Sequence, residues 1–231
     1  MTDNPSISVV IPAYNEEKYI GKCLASLQKQ SFKDFEIIVV DNNCADKTAE
    51  IAKSFGARII KEPIQGIIPA RERGFKEAKA EIIARTDADT VVTLNWLESI
   101  YEAFQREPEL VGISGTYITS NIIFRVWSFI LVNILAKLVM GHILLIGPTT
   151  AIRKSSWKKI KVHNNDRLYL EDLDLSCHLY QVGKLKYIPQ LTIPFADRRF
   201  RTISGLYDYF INYPRKYFKT IWTHHPFLRR H

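Results

Sequence analysis

The chain of 231 residues contains only three cysteines, Cys23, Cys44 and Cys177, and no two of them are close in the sequence. An odd count without a paired spacing argues against a disulfide framework or a zinc site. It favours a reducing compartment such as the cytoplasm. Residues 1–6 are polar and lead into an apolar run, so we expect no signal peptide.

The chain also lacks a long apolar run without charges. Residues 122–146 are strongly apolar, but Arg125, Asn133, Lys137 and His142 interrupt them. A membrane-spanning helix needs about 20 predominantly apolar residues with few charges, so we predict none here. An apolar stripe opposite the polar residues is typical of a helix that lies on a protein core or on a bilayer surface, and both interpretations remain open. The stripe consists of Trp127, Leu131, Ile134 and Leu138.

Basic residues are concentrated at the end of the chain. The net charge is +8, and residues 198–231 contribute +7 of it through eight basic residues and one acid. Residues 207–227 add eight aromatic side chains, a mixture that favours a membrane headgroup interface or a polyanion. Because no RNA- or DNA-binding signature accompanies them, we do not predict a nucleic-acid partner. A solvated tail with a few core aromatics is the alternative interpretation.

Strand-like apolar runs alternate with segments of helical spacing. The predicted strands are residues 7–11, 36–40, 58–60, 82–85 and 111–117, and the predicted helices are residues 17–30, 47–55, 68–79 and 95–106. This alternation predicts an α/β fold with a mostly parallel sheet covered by helices on both faces, and ligands at the carboxyl ends of the strands. The length and the 46% hydrophobic content fit one domain.

The first two predicted strands each end in a polar motif. Tyr14 follows the first strand and Asp41 follows the second, which places both at the same edge of a parallel sheet. The Tyr14 ring could stack on a base, and the Asp41 carboxylate could accept a hydrogen bond from a base N–H. An ordinary strand-to-helix turn is the alternative for residues 12–16, and Asp46 is more simply a helix cap.

Two acidic clusters lie about half the chain apart, each beside an apolar run. Asp87 and Asp89 follow the fourth strand, and Glu171 and Asp172 open a segment with helical spacing. Hard divalent cations prefer oxygen ligands, so the first cluster could hold a metal against a diphosphate, while a carboxylate of the second could remove a proton from a nucleophile. The pairing suggests group transfer from a nucleotide-activated donor. The simpler interpretations are a cap for Asp89 and a helix-dipole partner for the Glu171 pair.

In their order and spacing, these motifs resemble the family 2 glycosyltransferases, which have the GT-A fold. The resemblance covers roughly residues 6–195 and includes residues 66–74, which look like the family's glycine-and-arginine segment. It implies one GT-A domain over residues 1–200. A nucleotide-sugar-binding half (1–115) and an acceptor-binding half (116–200) would precede a basic aromatic segment (201–231).

The resemblance implies roles for matching positions. Asp89 would bind Mg²⁺ or Mn²⁺, and Asp87 would face the ribose. Arg71 would lie near the nucleotide, with an exposed helix position as the alternative. Asp172 would be the general base of an inverting reaction. The nucleoside pocket would be formed by Pro12, Ala13, Tyr14, Asn15, Glu16 and Asp41.

Residues 147–153 resemble the family's small-residue strand that lines the sugar and acceptor pocket. With the neighbouring acidic pair they make Thr149, Thr150 and Glu171 candidate pocket residues. The packing of an interior strand would explain the two threonines equally well.

The chain departs from the family pattern in three places. Asn42 stands where a second acid is common, and no histidine occurs near residues 195–199, where many relatives have a metal ligand. Asp197 is one substitute, and Arg198 and Arg199 could instead clamp phosphate oxygens. No Gln-x-x-Arg-Trp element is present, which favours one transfer per encounter.

The resemblance therefore predicts a metal-dependent hexosyltransferase that uses a nucleotide-diphosphate sugar and a hydroxyl or phosphate acceptor. A saccharide or polyprenyl-phosphate type acceptor would fit a cytoplasmic protein with peripheral membrane contact through residues 201–231. A sugar-phosphate nucleotidyltransferase is a weaker alternative, because such enzymes usually carry a glycine-rich loop where this chain has residues 12–15. A non-catalytic nucleotide-sugar-binding module at a membrane surface is the second alternative, and the retained acids at positions 87, 89 and 172 argue against it.

Overall fold

Seven strands form one central sheet. They are β1 (Ile7–Ala13), β2 (Phe35–Asp41), β3 (Arg58–Lys61), β4 (Ile82–Arg85), β5 (Leu110–Ile118), β6 (Ala151–Arg153) and β7 (Lys184–Pro194), in the order β3-β2-β1-β4-β6-β5-β7. The structure is a computed structural model that describes residues 4–118, 136–194, 202 and 207–224. Of these strands only β6 runs antiparallel to its neighbours, β4 and β5. The predicted mostly parallel α/β sheet is confirmed.

Helices cover both faces of the sheet. They are α1 (Ile20–Gln28), α2 (Thr48–Ser54), α3 (Ile67–Glu77), α4 (Trp96–Arg106), α5 (Ala136–Met140), α6 (Lys154–Trp157), α7 (Glu171–Tyr180) and α8 (Tyr213–His224), with a 3₁₀ turn at Gly147–Thr149 and a π-helical turn at Asp208–Asn212. In β2, Ile37 and Val39 pack with α1, α2 and α4, whereas Ile38 and Val40 pack with α3 and α7. A sheet buried on both faces has near-continuous apolar strands, the pattern from which these strands were predicted.

The edge strand β7 is not predicted by the sequence pattern. It is only half buried and contains Pro189, whose missing N–H is tolerated at a sheet edge or a bulge. Its pairing with β5 shifts register twice. Because β6 and β7 pair with β4 and β5, the two predicted halves of the domain share one continuous sheet.

The structure describes the apolar segment at residues 122–146 only from residue 136 onward. Helix α5 stops at Met140, and Leu138 is 78% exposed, which argues against a core contact at that position and not against a bilayer surface. The other members of the predicted stripe lie outside the described residues. No helix within the described ranges is long and apolar enough to cross a membrane.

Helix α3 approaches the sheet closely through Gly74. A Cβ atom at this position would lie 2.2 Å from Val10 Cγ1 and 3.0 Å from Val40 Cγ2. Both valines belong to the buried core, so neither can move aside freely. Gly74 therefore sets the distance between α3 and the β1–β2 surface, and with it the position of Arg71 one turn earlier.

We expect Gly74→Ala to lower the free energy of unfolding by about 1–3 kcal/mol through overpacking. Gly21→Ala is the matched control, because a Cβ there would meet only Ile51 Cγ2 at 3.9 Å. The control should be neutral or more stable by up to ~1 kcal/mol. Equilibrium urea unfolding measures both variants, and equal stability of the two would contradict this role for Gly74.

Candidate active site

The carboxyl ends of β1 and β2 form the first part of the site. Ala13 and Asp41 are direct partners in the parallel register, so Tyr14 and Asp41 share one sheet edge, as the strand order predicts. The Tyr14 side chain is 53% exposed and Asp41 is partly exposed. Asp41 Oδ1 accepts a hydrogen bond from the Cys44 backbone N–H at 2.9 Å. This bond fixes the Asp41 carboxylate at the carboxyl end of β2.

Hydrogen bonds join the two loops that follow these strands. Asn15, which has a positive φ of 54°, accepts a bond from the Ala45 N–H at 2.8 Å. Thr48 Oγ1 accepts the Glu16 N–H at 2.8 Å. Asp46 accepts the Thr48 N–H at the start of α2, which agrees with its interpretation as a cap. The loops therefore behave as one preformed surface.

The Cys44 thiol is part of the same connection, although no sequence pattern indicated this role. Its Sγ lies 3.4 Å from the Ala13 carbonyl and 3.4 Å from the Asn15 nitrogen. Burial raises the pKa of Cys44 to about 11, so the thiol remains neutral and can donate to the carbonyl.

Asn42 holds the next loop and explains one departure from the family pattern. Its amide nitrogen donates to the carbonyls of Glu62 and Ile64 at 2.9 and 2.7 Å, and its oxygen accepts the Gly66 N–H at 2.9 Å. Asn42 is buried. An ionised aspartate accepts hydrogen bonds but cannot donate them, so it could not replace these two donors.

The N-terminus of α3 is capped from the second half of the chain. Asp166 Oδ1 accepts the Ile68 N–H at 3.2 Å. Gly66 has a φ of 145°, and a Cβ there would lie 2.2 Å from Asp166 Oδ2. A carboxylate at a helix N-terminus satisfies free N–H groups and the helix dipole. The loop before α7 therefore fixes the helix that carries Arg71.

Arg85 joins the two acidic clusters, and the sequence analysis missed it. It is the last residue of β4 and is 3% exposed. Its guanidinium contacts Glu171, lies 3.1 Å from Asp172 Oδ1, and lies 3.3 Å from Asp87 Oδ1. The one available signal was a charged residue at the end of an apolar strand directly before the acidic cluster.

Arg71 is the second buried cation. It is 0% exposed, so the alternative of an exposed helix position is wrong. Its guanidinium pairs with Glu171 and, at 2.9 Å, with Glu72. Glu171 thus lies between two guanidinium groups instead of facing an open pocket.

The two adjacent acids of α7 have opposite pKa shifts. Burial alone would raise the pKa of Glu171, but Arg85 and Arg71 outweigh burial and lower it. Burial and the negative charge of Glu171 raise the pKa of Asp172 well above its ordinary value. Such a divergence is typical of sites where one carboxylate is structural and its neighbour exchanges a proton.

Asp172 is held at both carboxylate oxygens. Oδ2 accepts the Gly147 N–H at 2.9 Å, and Oδ1 contacts Arg85. A Cβ at Gly147 would lie 2.9 Å from the Arg85 guanidinium, so the glycine permits this close approach. The Asp172 side chain remains 20% exposed. It is an oriented carboxylate with one side open to a substrate.

The predicted pocket residues Thr149 and Thr150 are buried. Their hydroxyls donate to the Ile146 carbonyl at 3.1 and 2.8 Å, and Thr149 Oγ1 also lies 2.9 Å from Ser114 Oγ. The predicted strand at residues 147–153 is a strand only in β6, because the 3₁₀ turn replaces its first part. These threonines pack the turn that presents Gly147 to Asp172, and their contact with a sugar stays a prediction.

Asp87 and Asp89 offer the chemistry that a hard divalent cation needs. Burial, together with the charges of both carboxylates, raises the pKa of the Cys23 thiol, so the two acids face one region. Within the described residues no third His, Cys, Asp or Glu completes a site with them. Mg²⁺ commonly uses one or two carboxylates plus substrate phosphates, so this donor set fits. The candidate contacts Asp197, Arg198 and Arg199 lie outside the described residues.

Comparison with known proteins identifies the family. The model of Glycosyl transferase family 2 matches residues 8–164. The chain belongs to this family. The 4,4'-diaponeurosporenoate glycosyltransferase of Staphylococcus haemolyticus is 32% identical over 180 residues, which cover 69% of this chain and 47% of that protein. Glycosyltransferase GlyG of Streptococcus pneumoniae is 34% identical over 117 residues, 48% of this chain and 39% of that protein. The chain spans less than half the length of these family 2 relatives.

Solved structures establish the fold of this family 2 chain. Mannosyltransferase PcManGT from Pyrobaculum calidifontis, in complex with GDP-Man and Mn²⁺, has a TM-score of 0.73 at 16% identity, covering 95% of this chain and 64% of that one. Glucosyl-3-phosphoglycerate synthase from Mycobacterium tuberculosis, in complex with Mn²⁺, UDP and glucosyl-3-phosphoglycerate, has a TM-score of 0.68 at 18% identity, covering 87% and 75%. The predicted GT-A fold is confirmed.

We expect Arg85→Gln to lower the free energy of unfolding at pH 7 by about 3–5 kcal/mol, because buried carboxylates lose their shared cation. The variant's folded state would then bind protons more tightly than its unfolded state, so its stability should fall as pH rises. The difference in free energy of unfolding between this variant and wild type should therefore be smaller at pH 5 than at pH 7.

Denaturant unfolding at the two pH values measures this effect. Arg106→Gln is the control, since Arg106 is 75% exposed and pairs only with Glu102 within the described residues. Exposed pairs contribute about 0–1 kcal/mol, so this variant should resemble wild type at both pH values. A pH-independent deficit in Arg85→Gln would argue against the charge assignment.

Proposed function

We propose that the chain transfers a sugar from a nucleotide-diphosphate donor to an acceptor, with inversion and with Asp172 as the general base. The observation that carries this proposal is the Arg85 guanidinium, which contacts both Asp87 and Asp172. Asp87 after β4 and Asp172 in the first turn of α7 are therefore joined by one side chain. Membership of family 2 supports transfer chemistry, and the activities named for its relatives guide the choice of substrates.

The donor would lie across the carboxyl ends of β1, β2 and β4. Tyr14 would stack on the base and Asp41 would accept its N–H, since both lie at the shared edge. Asp87 would meet the ribose and Asp89 would hold Mg²⁺ or Mn²⁺ against the diphosphate. Solved neighbours bound to UDP-GlcNAc or to GDP-Man with Mn²⁺ support this class of donor.

The proposed reaction is a single displacement. The acceptor hydroxyl oxygen forms a bond to the anomeric carbon while the bond from that carbon to the diphosphate oxygen breaks on the opposite face. Asp172 takes the hydroxyl proton, a contribution of typically 10²–10⁴-fold to the rate. The bound cation supplies charge compensation for the departing nucleoside diphosphate.

Arg85 and Gly147 are positioning groups in this scheme. They hold the two oxygens of Asp172, while Glu171 neutralises the surplus positive charge of Arg85 and Arg71. The raised pKa of Asp172 makes its carboxylate a better proton acceptor than an exposed aspartate. Contact with the Arg85 guanidinium favours the ionised form of this carboxylate.

A lipid-linked acceptor is the class best supported by the C-terminal segment. A cleft beside α8 is lined by Arg167, Asn212, Arg215 and Lys216, which suits a phosphate group. A relative from Methanococcus voltae is named for transfer to a dolichyl N-acetylglucosaminyl phosphate. The acceptor would then be presented from the membrane side of α8.

Asp172→Asn should abolish transfer and leave donor binding within a few-fold of wild type, because an amide keeps the shape but cannot take the proton. Asp89→Asn should instead remove the Mn²⁺ dependence of nucleoside diphosphate binding. Product release from a panel of nucleotide sugars and calorimetric titration with UDP, GDP and TDP plus Mn²⁺ measure both properties.

Retained turnover in Asp172→Asn would exclude this residue as the base. If the wild type binds the donor but releases nucleoside diphosphate from none of the nucleotide sugars, the non-catalytic module would be favoured over an enzyme. Glu102→Gln is a control for acid removal, because Glu102 lies on α4 with its side chain 49% exposed and belongs to none of the proposed donor, base or acceptor groups.

Membrane contact is a separate part of the proposal. The exposed side chains of Tyr207, Ile211, Phe218 and Trp222 recur at spacings of four, seven and four residues, which suit one helical stripe. Arg215 and Lys219 flank this stripe. An exposed aromatic stripe beside cations suits an anionic bilayer surface.

We expect the Phe218→Ser, Trp222→Ser double variant to lose about tenfold in binding to anionic vesicles, because less apolar area is inserted. Flotation of the full chain measures this, with Ile64→Ser, a 65% exposed residue elsewhere, as the control. Substitution is preferable to truncation, since Thr220 of α8 is buried and accepts the Leu170 N–H at 2.9 Å. Equal recovery of double variant and wild type would remove the stripe from the proposal.

A further inference from the structure

Three histidines and one aspartate meet at the junction of α7 and α8, and the aspartate lies two residues after Asp172 in the first turn of α7. His163 lies in the segment before α7, Asp174 and His178 lie one turn apart on α7, and His224 ends α8. Their four candidate ligand atoms all lie within 4.8 Å of one another. We propose that this cluster binds a structural Zn²⁺ ion.

The distances centre on one carboxylate oxygen. Asp174 Oδ1 lies 2.7 Å from His163 Nδ1, 2.7 Å from His224 Nε2 and 3.7 Å from His178 Nε2. Ligand atoms around a tetrahedral zinc ion with bonds of about 2.0–2.1 Å are about 3.4 Å apart. The present separations range from 2.7 Å up to 4.8 Å, so individual pairs would have to change by about 0.7–1.4 Å to reach that arrangement.

The donor set matches zinc. Imidazole nitrogen and carboxylate oxygen are common zinc ligands, and four protein ligands make a closed site of the structural kind. The cysteine pattern predicted no zinc site, but none of the four residues in this cluster is a cysteine. Asp174 and His178 are four residues apart on a helix, but His163 and His224 join them only in the folded chain.

Supporting contacts orient the ligands. Asp174 Oδ2 accepts the His163 backbone N–H at 2.9 Å, which leaves Oδ1 directed at the three rings. The His163 ring stacks on Tyr169, with centroids 4.1 Å apart. Such outer contacts commonly fix the ring orientation of metal-binding histidines.

Charge also favours an ion over a cluster held by hydrogen bonds alone. Asp174 is 1% exposed, so its negative charge needs a partner inside the protein. The three ring centroids lie only 4.8–5.5 Å apart, so the rings crowd this carboxylate. A divalent cation bound by the four groups would compensate its charge.

The ion would fasten α8 onto α7. Tyr217 and Ile221 of α8 pack on a small core that includes Leu173 and Cys177 of α7, and His224 extends this contact by one more turn. Zinc would thus strengthen the attachment of the basic aromatic helix. The site is independent of the proposed transfer reaction, since none of its residues belongs to the donor or base constellation.

The full chain, stripped with a chelator, is titrated with Zn²⁺ and separately with Co²⁺. We expect one Zn²⁺ per chain, a higher midpoint of thermal unfolding, and the intense visible absorption of tetrahedral Co²⁺. His163→Gln and His224→Gln should each weaken Zn²⁺ affinity by at least about 100-fold. Circular dichroism checks that both variants fold.

Two controls separate this site from other sources of metal binding. His142→Gln removes a buried histidine outside the cluster, and Asp89→Asn removes the candidate donor-metal ligand. Both should retain the Zn²⁺ affinity and the Co²⁺ spectrum of wild type. Undiminished Zn²⁺ affinity in both cluster variants, or an octahedral Co²⁺ spectrum in wild type, would overturn the proposal.

Discussion

The site depends on the neutralisation of charge in the protein interior. Arg71 and Arg85 are buried against the start of α7, where the carboxylates of that helix compensate their charge. The same interaction stabilises the ionised form of Glu171, whose charge, after burial, raises the pKa of its neighbour Asp172. One group of ion pairs therefore sets both the burial of two arginines and the opposite pKa shifts of two adjacent acids.

The sequence predicts this fold well because each central strand is buried on both faces and each helix has a regular apolar face. It also predicts that Tyr14 and Asp41 share a sheet edge, since that follows from the order of parallel strands alone. By contrast, β7 is a half-exposed edge strand with a proline, so neither its composition nor its alternation marks it. Local pattern is informative where burial is uniform and uninformative at edges.

The site itself is less predictable, because its central contacts join residues far apart in the chain. Arg85 in a strand, Asp172 on a helix and Gly147 in a turn become neighbours only through the sheet order that inserts β6 between β4 and β5. The histidine cluster has the same origin. A residue's type suggests what it can bond to, and only the topology decides which partner it meets.

The cap that Asp166 provides to α3 has a consequence for how such chains can be divided. A fragment ending after β5 would contain the edge formed by β1 and β2, yet α3 would begin without its carboxylate, and Arg71 and Arg85 would lose their shared partner Glu171. The first half of the chain is therefore not a portable module. Recombination of this fold with a different acceptor region would have to carry over residues equivalent to 166 and 171, which limits how freely evolution or engineering can exchange the two parts.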